Sequence, residues 1–241
     1  VEEHLGSLRE RYDADLAIVN GENAADGAGI TAKLADKLLA SGADVITLGN
    51  HTYRRSGIAS YLAASERVIR PANSGAQAPG RGLAVVEARN GVRVAVLNLL
   101  GQLFLSTPVS PWEVVDELVD EARAAAPVVV VDFHAEATSE KVAMATWLDG
   151  RVTAVIGTHT HVQTNDARVL PGGTAAVTDA GMTGPHDSVI GVRSELAISR
   201  MRTRLPVRFE PAEGDVRLEG VLLTCTDAGR AEALELVRIQ V

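Results

Sequence analysis

Four short apolar runs, each closing on residues of metal-ligand type, constrain this chain more than any other feature. They are DLAIVNGEN (15–23), DVITLGNH (44–51), PVVVVDFHAE (127–136) and VTAVIGTHTH (152–161). Runs of Val, Ile, Leu and Ala this short, with helix-patterned stretches between them, predict buried strands of a mostly parallel sheet. In such sheets ligands bind beyond the carboxyl ends of the strands. The rule gathers Glu22, Asn23, Asn50, His51, His134, His159 and His161 at one edge, although they are scattered along the chain. That convergence points to a metal site.

The stretches between these runs predict the remaining elements. Leu5, Leu8 and Tyr12 are spaced for an amphipathic helix opening at Val1, and Leu34, Leu38 and Leu39 for a second helix with Gly42 as its C-cap. Asn90-Gly91 between two apolar runs predicts a hairpin. PWEVVDELVDEARAAA predicts a helix with Pro111 in its first turn, and TSEKVAMATWLDG another, capped by Thr138 or Ser139. TAAVTDAG reads as a strand and MTGPHDSVIG as a loop, and the alternating tail after Val207 reads as antiparallel hairpins. The expected architecture is one α/β domain over residues 1–241, with a parallel and an antiparallel half. The chain opens on Val1 inside a helical pattern, with no strand before it. That start reads as truncated.

Bulk properties set outer bounds. No apolar run approaches the ~20 residues of a membrane span, and no secretory segment opens the chain. The single cysteine, Cys225, excludes an internal disulfide and fits a reducing, cytoplasmic setting. A net charge of −8 argues against an extended nucleic-acid surface, which needs clustered Lys and Arg. A small anionic substrate stays compatible where bound cations supply positive charge.

The ligand motifs differ in weight. In Gly157-Thr-His-Thr-His161, residues two apart on an extended segment project to the same side, so His159 and His161 offer imidazoles to one place. Asn50 and His51 diverge as neighbours, which suits one ligand and one acid/base residue. Alone, the pair is ordinary turn chemistry. Glu22 supplies the acidic group of the set and can bridge two cations. His134 is the ligand candidate after residues 128–131, with Asp132 or Glu136 positioned to orient a histidine. Asp179 and His186 read as structural or substrate-loop residues.

GENAADGAGIT, LGNHTY, RPANS, NLLG, VDFHAEATSEK, GTHTHVQTND and TDAGMTGPHDSVIG, in this order, closely resemble the bacterial YmdB-like metallophosphoesterases. The resemblance implies a four-layer αββα sandwich of the calcineurin-like type, here without its first strand. It also implies two metal ions, iron or manganese before zinc, a 2′,3′-cyclic nucleotide substrate, and a tendency to form homo-oligomers. Glu22 would bridge the metals, Asn23 and His161 would serve the first, and Asn50, His134 and His159 the second. His51 would donate a proton to the leaving group, with water activated at the cations. The family's Gly-Asp turn, whose aspartate ligates the first metal, has no counterpart in these residues, so fewer than two metals per chain are expected. The rival reading is a non-catalytic regulator that binds a nucleotide or protein partner around an incomplete centre. A closer rival is a metal-dependent hydrolase of another ester or amide.

Overall fold

The apolar runs do become strands, but in two separate sheets. In the computed structural model, which describes all 241 residues from Val1 to Val241, β1 (Ile18–Asn20), β2 (Val45–Thr47) and β3 (Val68–Ile69) form a small parallel sheet in that order. The larger sheet takes β4 (Leu83–Glu87), β5 (Arg93–Leu100), β6 (Val128–His134), β7 (Ala154–Thr158), β8 (Arg168–Val169) and β9 (Ala175–Val177). Its order is β4-β5-β6-β7-β9-β8, with β5, β6, β7 and β9 mutually parallel and the two edge strands antiparallel. A third, antiparallel sheet joins β10 (Gly184–Asp187), β11 (Gly214–Cys225) and β12 (Ala231–Gln240).

Strands buried on both faces explain why the runs lack polar alternation. Along β5 and β6, Val94, Val96, Val128 and Val130 face one core, while Ala95, Leu97, Leu99, Val129, Val131 and Phe133 face the other. The second core is closed by α4 (Pro111–Ala125) and α5 (Thr138–Trp147), through Val115, Val119 and Met144, and by Leu148 just after α5. Each such fully buried side chain contributes about 1.5–3 kcal/mol. The first core meets Val45 and Ile69 of the small sheet, and Ala231 and Leu234 of β12. The far side of the small sheet packs on α2 (Ala32–Ala40) and α3 (Ile58–Ala64) through Leu38, Ile46, Leu48, Ile58 and Leu62.

Several local expectations change. α1 (Leu5–Arg11) begins four residues late, because Val1 to His4 form a turn, and it buries no residue fully. α4 has its proline at the first turn and Ser110 capping Trp112 N–H at 3.3 Å. α5 starts at Thr138 after Ala137 with no side-chain cap, so neither Thr138 nor Ser139 plays that part. The stretch read as a loop contains β10, paired with the start of β11. α6 (Ser194–Thr203) was not anticipated; it buries only Ala197 and therefore carries no apolar stripe. The Asn90-Gly91 hairpin and the antiparallel tail form as expected.

Candidate metal centre

The two parallel sheets bring their carboxyl ends to one edge, and the candidate residues follow those ends. Glu22 and Asn23 lie just beyond β1, and Asn50 and His51 just beyond β2. His134 closes β6, in register with Thr158 at the end of β7. His159 and His161 sit past β7 in the loop, at φ of 105° and 64°. The segment is therefore not extended at these two residues: left-handed backbone, uncommon for a non-glycine residue, aims both rings.

The loop is held from below. Asp179 accepts hydrogen bonds from Thr160 N–H at 3.0 Å and Thr160 Oγ1 at 2.8 Å, and pairs with Lys141 Nζ at 2.8 Å. Both members of the ion pair are almost fully buried. Gly157 must lack a side chain, since a Cβ there would lie 1.9 Å from the Thr178 carbonyl oxygen. Gly49 is equally constrained: its Cβ would fall 2.3 Å from His134 Nε2 and 2.4 Å from Glu22 Oε2.

Proton counting defines the centre. Thr158 Oγ1 lies 2.7 Å from Asp132 Oδ1 and gives its one hydrogen there, so it accepts from His134 Nδ1 at 2.9 Å. In neutral His134 the Nε2 lone pair then faces Asn50 Oδ1 at 3.0 Å, His159 Nδ1 at 3.1 Å and Glu22 Oε1 at 3.2 Å. His159 directs its other nitrogen, Nε2, to Glu136 Oε2 at 3.0 Å, which leaves Nδ1 as a second lone pair. Two imidazoles, a carboxylate and an amide oxygen thus converge with no proton among them. A cation satisfies such a set, and thiolate-free N and O donors suit iron, manganese or zinc. The Glu22, His134 and His159 donor atoms all lie within 4.8 Å of one another.

A second group adjoins the first through Asn23. Its Nδ2 reaches Glu22 Oε1 at 3.1 Å and His161 Nε2 at 3.0 Å, while its Oδ1 meets His51 Nδ1 at 2.7 Å. A half-turn of this amide exchanges the two atoms and puts the oxygen beside His161. His161 Nδ1 is anchored on the Ile190 carbonyl at 3.1 Å. Glu22 Oε1 therefore stands between the His134–His159–Asn50 group and the Asn23–His161 pair.

Electrostatics follow burial and charge. Without a cation, burial acts to raise the Glu22 pKa, but the hydrogen bond and charge of a protonated His134, with the His51 N–H at 3.1 Å, outweigh it and bring it to about 2. Burial lowers the His159 pKa, as does the neighbouring His134, and this favours the neutral, donor form. Burial also lowers His51, with Arg54 acting the same way and Glu22 opposing. Burial raises the Asp132 carboxyl, against hydrogen bonds from Thr158 and from Asn20 at 3.1 Å.

Every candidate ligand thus reaches the same edge. Asp132 and Glu136 each orient one imidazole. Asp179 braces the loop, and His186 lies away from the cluster, 3.3 Å from the Met182 carbonyl. Thr158, Asn20 and Lys141 escaped sequence reasoning. The repeated threonines of GTHTH were the one available hint, because a hydroxyl beside a histidine is suited to fix its tautomer.

An α/β scaffold with a mixed carboxylate, imidazole and amide cluster at adjoining strand ends defines a protein with a candidate cation-binding centre. The chain belongs to the YmdB-like protein family, whose profile matches residues 1–237. It is 46% identical over 239 residues to a 2′,3′-cyclic-nucleotide 2′-phosphodiesterase of Bacillus subtilis (strain 168), covering 99% of this chain and 90% of that relative. Among solved structures it is similar to a hypothetical protein from Thermus thermophilus, with TM-score 0.92 and 39% identity over 99% of this chain and 92% of that one. It is also similar to a phosphatase of Mycoplasma pneumoniae, with TM-score 0.88 and 35% identity over 99% and 87% of the two chains.

Proposed function

We propose that the protein is a metal-dependent phosphodiesterase that opens 2′,3′-cyclic nucleotides at the 2′ ester bond, on a four-layer αββα sandwich of the calcineurin-like type. The observation that carries this reading is the proton-free convergence of Glu22, Asn50, His134 and His159 between two sheets. The substrate is taken from the name of the Bacillus subtilis relative. Glu22, Asn50, His134 and His159 would hold one cation, and Asn23 and His161, on the other side of Glu22, would offer a second, less complete place for another. When bound, the cations supply an activated water and offset charge on the phosphoryl oxygens.

The chain's own residues supply the rest. Asp132, Thr158 and Glu136 hold the two ligand imidazoles in donor tautomers. His51 is partly open to solvent, its side chain 26% exposed, and its Nδ1 is engaged by Asn23. With the Asn23 amide turned so that its oxygen serves His161, its NH2 donates to His51 Nδ1, which places the His51 proton on Nε2, ready for transfer to the ribose 2′-oxygen as the phosphorus–oxygen bond breaks. An alkoxide leaves poorly, so this transfer is worth about 10²–10⁴ in rate. Strain in the cyclic diester makes its opening easier than that of a linear one.

The test is His51→Ala with elemental analysis beside turnover of 2′,3′-cyclic AMP and added manganese. Metal content should match the parent while kcat falls at least a hundredfold. Turnover within a few-fold of the parent would remove His51 from the reaction. A parent that binds metal but turns over no cyclic nucleotide, linear dinucleotide or chromogenic phosphodiester would favour the regulator reading.

A further inference from the structure

The strands that end at the metal centre begin at a second, basic cleft. The loops entering β6, β7 and β9 and the β11–β12 hairpin turn enclose a space of about 360 Å³. Three arginines border it: Arg123 from the end of α4, Arg151 ahead of β7, and Arg230 from the hairpin. Arg151 is held by Asp116, with Asp120 4.0 Å away. Arg123 and Arg230 make no carboxylate contact and are exposed. Two unneutralised guanidinium groups bordering one cleft stand out on a chain of net charge −8.

The cleft is a built feature. Gly229 sits at φ 82°, and a Cβ there would lie 2.0 Å from the Pro127 carbonyl oxygen. A Cβ on Gly173 would meet the Arg230 guanidinium carbon at 3.4 Å, so that side chain lies along the glycine. Glycine backbone thus forms the wall against which the arginine head is laid. Seven residues of β6 separate this end from His134, about 20 Å at ~3.3 Å per residue. The two sites are distinct.

We infer that this cleft binds a small, doubly charged phosphate-bearing molecule of about nucleotide size. Guanidinium forks match phosphate oxygens in pairs, and the volume lies in the range of small-molecule sites. Asp116 and Asp120, beside Arg151, would repel the continuous backbone of a nucleic acid, which leaves a compact anion as the occupant.

The test is calorimetric titration of the full chain with adenosine 5′-monophosphate, in the parent and in an Arg123→Ala/Arg230→Ala double variant. Both side chains are exposed and neither belongs to the metal centre, so turnover without the nucleotide should be unchanged. The parent should take up one equivalent more than the variant, with affinity that weakens as salt rises. An Arg230→Lys variant should keep the site with reduced affinity. Coinciding isotherms of parent and double variant, or no uptake by the parent at millimolar nucleotide, would overturn the inference. The readout is uptake, so it stands whether or not cyclic nucleotides prove to be the substrate.

Discussion

Glu22 is a carboxylate that burial ought to keep neutral and that its neighbours keep ionised. Its pKa of about 2 lies below the ordinary 4.5, so the folded state binds its proton more weakly than the unfolded chain does. The resulting stabilisation is fully present above pH 4.5 and is lost as pH falls toward 2. A shift of this size corresponds to about 3 kcal/mol. In chelator, the stability gap between the parent and Glu22→Gln should shrink by about 2 kcal/mol from about pH 5 to about pH 3 in urea melts. A gap that stays constant over that window would mean the His134 and His51 contacts do not hold the carboxylate ionised. The residue also shows what a sequence can and cannot reveal. Glu22 was legible as a strand-end ligand, but its partners come from β2 and β6, and pattern alone does not say which imidazole will face it.

At the scale of elements, α5 braces the loop that carries two of the histidines. Lys141 and Asp179 are buried together, and Asp179 spends its remaining acceptor capacity on Thr160 and on the Gly181 N–H. Lys141→Met removes one charge and leaves the other buried. It should cost about 3–5 kcal/mol in denaturant melts and lower the metal retained after dialysis, because the His159–His161 backbone loses its anchor. A loss under about 1 kcal/mol would show that the pair is replaceable by packing. Asp179 could be flagged from sequence by its place after an apolar run. Lys141 could not, since a charged residue on a helix reads as solvent-facing until its partner is known. Similar physics hid α6, which lacks an apolar stripe, and β10, whose GPHD sequence has no strand pattern and pairs only because β11 lies beside it. By contrast β5, β6 and β7 were readable because both faces are buried and apolar runs result. What those runs could not encode is that β1 and β2 belong to another sheet.

For the whole molecule, the division into two sheets would give any bound cation a structural role besides a chemical one. Glu22 and Asn50 extend from the small sheet, His134 and His159 from the large one, and the direct polar tie between them at this edge includes the Asn20–Asp132 hydrogen bond. Across the seam His134 Nε2 meets Asn50 Oδ1 at 3.0 Å and Glu22 Oε1 at 3.2 Å, with His159 Nδ1 beside it on the same sheet at 3.1 Å. Cations bound there would attract ligands from both sheets and would act as a cross-link of the folded state alone. Linkage sets the size: metal present at about a thousand times its dissociation constant stabilises by about 4 kcal/mol. For a chain of this length, each kcal/mol moves Tm by about 2–4 °C. Chelator should therefore lower Tm by roughly 8–16 °C, and manganese in excess should restore it. The same treatment should leave a His134→Ala/His159→Ala variant almost unmoved, because that variant cannot join the sheets through metal. An equal response of parent and variant would place the stabilising ion elsewhere and detach the seam from the metal.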